Sequence, residues 1–137
     1  MVKKILRMTG VWLLIILAET LHGTFRTLLI EPLIGGKTAR QAAVFTGAVI
    51  FFAIAYFLVG RTGVQSSPGL LASGAYWVVL TVGFEFALGF WLLGLPAERL
   101  FSDYDLASGG LMPVGLLLLL FTPLAADRLR RKSQRRA

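Results

Sequence analysis

The 137-residue chain predicts an all-α fold: an integral membrane four-helix up-down bundle with short loops. Three observations predict it. Hydrophobic residues make up 56% of the chain and mean hydropathy is +0.75, above the usual share for a soluble domain. The apolar residues arrive in four long blocks instead of at amphipathic spacing. The connections between blocks are short, which makes successive helices antiparallel neighbours.

Each block meets the length a bilayer demands, about 20 residues at 1.5 Å of rise per residue. The first span covers about 6–30 and is closed by Glu31 and Pro32. It reads as a retained helix and not a cleaved leader, because no small-x-small pattern ends the run. The second covers about 39–59, opened by Thr38 and Gln41 as a capping box. The third covers about 68–95, with Ser67 as cap and Pro68 at the first helical position, where its missing N–H costs nothing. The fourth covers about 108–126, with a kink expected at Pro113, and a basic tail, 127–137, completes a single transmembrane domain. Trp77 and Trp91 lie toward the two ends of the third span, where interfacial belts form. Ala43 with Gly47, and Gly83 with Ala87, are small pairs suited to close helix approach. The stretch PAERLFSDYDL suggests a short surface helix with Leu95, Leu100 and Phe101 inward.

Charge sets the orientation. The formal net charge of +7 comes mostly from Arg128, Arg130, Arg131, Lys132, Arg135 and Arg136. Lys3, Lys4, Arg7 and Arg61 share their side, whereas Lys37, Arg40, Arg99 and Arg26 lie toward the other. This bias places both termini in the cytoplasm. A basic tail beside an apolar segment suits anionic lipid headgroups, and nucleic acid is not an expected partner. The absence of cysteine excludes disulfides, thiolate metal sites and thiol nucleophiles.

One stretch resists the membrane reading. LLIILAETLHGTFRTLLI sets Glu19, His22 and Arg26 inside the first apolar run. At 100° per residue they share about one third of the helix circumference, so they form a stripe. A charge at mid-bilayer costs about 2.5 to 3.5 kcal/mol on insertion scales, which turns such a stripe toward protein or water. Glu85 in the third span falls at the level of His22 and Arg26, and Arg40 and Gln41 open the second span nearby. These six residues are the candidate ion- or ligand-binding set, with Glu85 the expected partner of Arg26. As a structural set, they would be paired groups that fix helix register. As a functional set, Glu19 and His22 would exchange a proton, since an imidazole titrates near neutrality. Glu19-x-x-His22 also has the spacing of carboxylate metal bundles, and Glu85 could supply a third ligand, although one histidine makes a dinuclear centre possible only in a symmetric dimer. Asp103-Tyr104-Asp105 matches a short divalent-metal pattern for which a solvated loop is the plainer meaning.

The motifs AETLHGTFR, FEFALG and DYDLASGG together resemble a group of small four-span bacterial inner-membrane proteins of no assigned activity. The resemblance covers nearly the whole chain and implies fold and location without a mechanism. The chain departs from that group at Gly109-Gly110, where no basic residue follows. By architecture it is also similar to the small multidrug resistance transporters, four-span dimers with a membrane-embedded Glu on the first helix. The one-way charge bias and the presence of His22, Arg26 and Glu85 set it apart from them.

Three function classes follow. Ion, proton or small-solute transport or binding draws on the polar cluster and requires a homo-oligomer, because four helices enclose little space. An accessory or assembly subunit would use the cluster as a lock or as an interface with a partner membrane protein. A metal-dependent enzyme at the outer leaflet ranks last, since neither an evident nucleophile nor a Gly-rich phosphate loop is present.

Overall fold

A computed structural model describes residues 1–136; Ala137, the last residue of the expected tail, lies outside the described residues. The chain is helical, with no strand among these residues. Four helical units are long and apolar enough to cross a membrane: Val2–Ile34, Gly36–Thr62, Ser67–Leu92 and Met112–Arg136.

Within the first unit, α1 (Val2–Phe25) passes through a π-helical turn, Arg26–Ile30, into α2 (Glu31–Ile34). Glu31 and Pro32 therefore do not end the helix as expected. Pro32 sits in the first turn of α2 with no N–H to donate, and the wider turn before it carries the Glu31 N–H to the Arg26 carbonyl. The break comes at Gly35, whose φ of 88° favours glycine. α3 (Gly36–Leu58) starts there, three residues before the expected boundary, so Thr38 and Gln41 form no capping box. α3 gives way to a 3₁₀ turn, Val59–Thr62, and α4 (Ser67–Ala87) follows. Its cap is Ser66, one residue earlier than expected, whose Oγ accepts from the Gly69 N–H at 3.2 Å. α4 also ends in a π-helical turn, Leu88–Leu92.

The connection to the last helix contains α5 (Ala97–Ser102) and a 3₁₀ turn, Leu106–Ser108. Leu100 of α5 is buried against Gly89, whereas Phe101 remains largely exposed. α6 (Met112–Arg136) starts later than expected, which leaves Pro113 in its first turn; the interior proline is Pro123, fully buried.

The core lies where α1, α3, α4 and α6 meet, around Trp77, Ile15, Leu70, Ala55, Val59 and Ala126. Trp77 is not an interfacial residue: it is wholly buried and its indole donates to the Met8 carbonyl at 3.0 Å. An indole inside a bundle needs such an acceptor. Trp12 likewise donates to Thr81 at 3.0 Å, and the hydroxyls of Thr9 and Tyr76 lie 2.8 Å apart. Along these contacts between α1 and α4, residue numbers rise together. Between α1 and α3 they run opposite, with His22 beside Thr46 and the side chains of Lys4 and Arg7 over Gly63. α6 packs on both α3 and α4, closest at Gly74, where a Cβ would collide with the Leu120 backbone carbonyl. Gly83, by contrast, faces open space, so the Gly83/Ala87 pair makes no close approach within the chain.

The two ends differ. The start of α1, the turn after α3 and the end of α6 meet at one end, where Arg130 covers Gly60 and buried Asp127 pairs with Arg130 at 3.1 Å and Arg131 at 2.8 Å. Gly35 and the 93–111 connection form the other.

Candidate functional site

Toward the connection end, the polar residues form two layers. The deeper one starts on α1, whose α-helical geometry puts Glu19 and His22 one turn apart on a single face, as their spacing predicts. His22 Nδ1 stands 3.7 Å from Glu19 Oε2, beyond hydrogen-bond distance. The other ring nitrogen, Nε2, lies 2.8 Å from the Thr46 hydroxyl on α3. When Thr46 donates to that nitrogen, the ring proton sits on Nδ1 and faces Glu19; when Thr46 donates to the Ala42 or Ala43 carbonyls instead, both 3.4 Å away, Nε2 carries the proton. His22 is thus a two-ended connector between Thr46 and Glu19.

Gly47, one residue on, makes room for the acid. A Cβ there would stand 2.7 Å from Glu19 Oε2. Gly47 was legible as a small residue suited to helix approach, yet the group it admits is a carboxylate. Glu19 Oε1 is buried and meets no hydrogen-bond partner. Glu85 on α4 completes the layer: it is within electrostatic reach of Glu19, and among the described residues it makes no ion pair or hydrogen bond.

The shallower layer is a cap of paired charges. Arg26 does not pair with Glu85, as its level in the first span suggests, but with Glu31, Nε to Oε1 at 3.3 Å. The π-helical turn is the reason, because it brings residues five apart onto one side. Arg40 reaches Asp103 Oδ1 at 3.4 Å, and Arg99 holds Asp103 Oδ2 at 2.8 Å. Gln41 donates to the Gly109 carbonyl at 2.8 Å, tying α3 to the connection at a glycine with φ of 90°. Arg40 and Gln41 thus belong to the cap and do not touch Glu19 or His22.

Among the described residues Asp103 and Asp105 belong to no group that could hold a metal ion. Asp105 accepts from the Ser108 hydroxyl and from the Ala107 N–H, which caps the 3₁₀ turn and holds its carboxyl below the usual carboxylate range. Glu19, His22 and Glu85 do not assemble into a metal site either: among the described residues no three His, Asp or Glu side chains stand so as to hold an ion.

Tyr104 lies between the layers and was not legible as a site residue. Its ring stacks on Phe86 at 5.6 Å, and its hydroxyl is buried without a hydrogen-bond partner. Burial, with the nearby charges of Glu85 and Asp103, pushes the phenol up to about 12. Glu85, Phe86, Leu100, Asp103, Tyr104 and Met112 surround a space of about 20 Å³. A much wider open groove, between α3 and α6, is lined by Phe51, Phe52, Leu117 and Phe121 and contains no ionisable side chain.

No family model, curated protein or solved structure matches the chain.

Proposed function

We propose that this chain is a multi-pass protein of the bacterial inner membrane, an up-down bundle with both termini cytoplasmic, that binds and relays protons through Glu19, His22 and Glu85. The observation that carries the reading is an imbalance. Arg26, Arg40 and Arg99 in the cap each have a carboxylate, while Glu19 and Glu85 below them have no guanidinium or ammonium partner. A pure register lock would pair every charge, because an uncompensated charge away from water is costly. The deeper carboxylates are instead placed where gain and loss of a proton is the available chemistry, with His22 beside one of them.

The large side chains that point outward from the helices, among them Leu13, Leu17, Leu21, Val49, Phe57 and Val79, support lipid as the surroundings. The opposed numbering along α1 and α3, and the parallel numbering along α1 and α4, support the up-down arrangement. A proton is favoured over a larger solute because the space beside Glu85 is water-sized; a solute path would need a homo-oligomer.

The test is proton flux into liposomes carrying the wild type, Glu19→Gln or His22→Ala between about pH 5 and 8, the window of an imidazole. The expected result is a pH-dependent flux reduced at least tenfold in both variants, with unfolding midpoints preserved. Absence of flux in all three, each well folded, would overturn the relay. The saturated cap favours a second reading, an accessory subunit of a membrane complex. In that case the three proteins would co-purify equally with the same membrane partner.

A further inference from the structure

The relay needs a way in from the connection end, and three features meet at one place there. The Tyr104 hydroxyl is buried with no partner in the protein. Glu85, one helix away, also has none. Between them lies a space of about 20 Å³, bounded on its apolar sides by Phe86, Leu100 and Met112 and on its cap side by Asp103. A water site requires room for about one probe sphere, roughly 10–15 Å³, and two to four polar partners. This one has the room, a phenol to donate, and the carboxylates of Glu85 and Asp103 to accept.

We infer that a single water molecule sits between Tyr104, Glu85 and Asp103 and forms the port through which protons from the connection end reach Glu85. The inference deepens the relay reading and rests on it for its purpose, but the port is a property of the structure that can be measured without any transport.

Each part has a physical reason. Asp103 is anchored by Arg99 at 2.8 Å and Arg40 at 3.4 Å, so the acceptor on the cap side is fixed in place. Stacking on Phe86 sets the plane of the Tyr104 ring. The Tyr104 phenol keeps its proton throughout the neutral range, which makes it a constant donor to the water and leaves Glu85 as the group that changes state. The charged or titratable groups facing Glu85 are Glu19 from α1, Arg26 from the π-helical turn, and Asp103 and Tyr104 from the connection; α6 contributes Met112. A proton delivered to Glu85 is therefore within electrostatic reach of Glu19.

The port predicts a rate with a side. In liposomes holding oriented protein, the pH is dropped on the connection side only, and infrared absorbance follows conversion of carboxylate to carboxylic acid. The Glu85 component is identified by its loss in Glu85→Gln. In the wild type, Glu85 is expected to protonate promptly. Tyr104→Phe keeps the stack but removes the donor, and Leu100→Phe fills the space; each is expected to slow the Glu85 signal at least tenfold. Equal rates in wild type and Tyr104→Phe would overturn the port, as would a wild-type Glu85 that never responds to acid from that side. Because the signal is protonation and not flux, a working port with no flux would sink only the relay, and normal flux with an unaffected Tyr104→Phe would sink only the port. Should Leu100→Phe fail to fold, Tyr104→Phe decides alone.

Discussion

Gly47 on α3 receives the carboxylate of Glu19 on α1 so closely that a methyl group at position 47 would stand 2.7 Å from Oε2. The contact is between a backbone and the far end of a flexible side chain, and this decides what a substitution does.

Gly47→Ala is expected to leave the fold intact and move the acid. The carboxylate can swing away, so the stability change should stay at the low end of the about 1–3 kcal/mol that added core volume costs. The 3.7 Å spacing of Glu19 and His22 would not survive the swing. Unfolding in detergent should therefore be near wild type while pH-dependent flux falls, and a variant with unchanged flux would show that the position of Glu19 does not matter.

Gly74→Ala should do the reverse. Its Cβ would meet the backbone carbonyl of Leu120, which no rotamer change can move. α4 and α6 must separate, at a cost of about 1–3 kcal/mol or more. The check is a denaturant or thermal midpoint, with Gly83→Ala as the comparison expected to be nearly silent, because its Cβ position is open.

A double-mutant cycle can identify the partner of Arg26. Coupling of Arg26→Ala with Glu31→Gln is expected at up to about 1 kcal/mol, the scale of partly exposed ion pairs, since each side chain retains about a quarter of its exposure. Coupling of Arg26→Ala with Glu85→Gln should be smaller. The opposite order would restore the pairing suggested by counting along straight α-helices.

Tyr104 gives a stability loss confined to alkaline pH. A phenol ordinarily ionises near about 10; burial, with Glu85 and Asp103, pushes Tyr104 up to about 12. Between these values the unfolded chain has released its proton and the folded one still holds it. The contribution is thus fully present below about pH 10 and is lost as pH rises toward 12. Absorbance of tyrosinate in the folded protein should show one late-ionising phenol that Tyr104→Phe removes, and the alkaline fall in stability should become shallower in that variant.

Much of the scaffold was readable because it depends on bulk quantities. Four apolar blocks of sufficient length become four helical units whatever the local detail. The Glu19 and His22 face was readable for a related reason, since α1 is regular there and 100° per residue holds. The same counting fails at Arg26, where a π-helical turn intervenes, and this hid Glu31 as its partner. Trp77 was misplaced because position along a span says nothing about which face the ring takes, and its face is inward. Thr46 carries no signature of its own, Gly47 reads only as a small residue and Tyr104 only as the middle of a metal-like pattern. They matter only because α3 and the connection bring them to a histidine and two acids far away in the chain.

The unbroken course of α6 to Arg136 makes residues 127–136 a rod and not a tether. From Asp127 to Arg136 a helix reaches about 13 Å at 1.5 Å per residue, farther than the screening length of about 8 Å in physiological salt. Asp127 therefore neutralises charge at the root of the rod, through Arg130 and Arg131, and its field does not reach Arg136 at the tip. A floppy segment would average these roles. A stiff one keeps them distinct, so ionic strength should tune the tip while leaving the root unchanged.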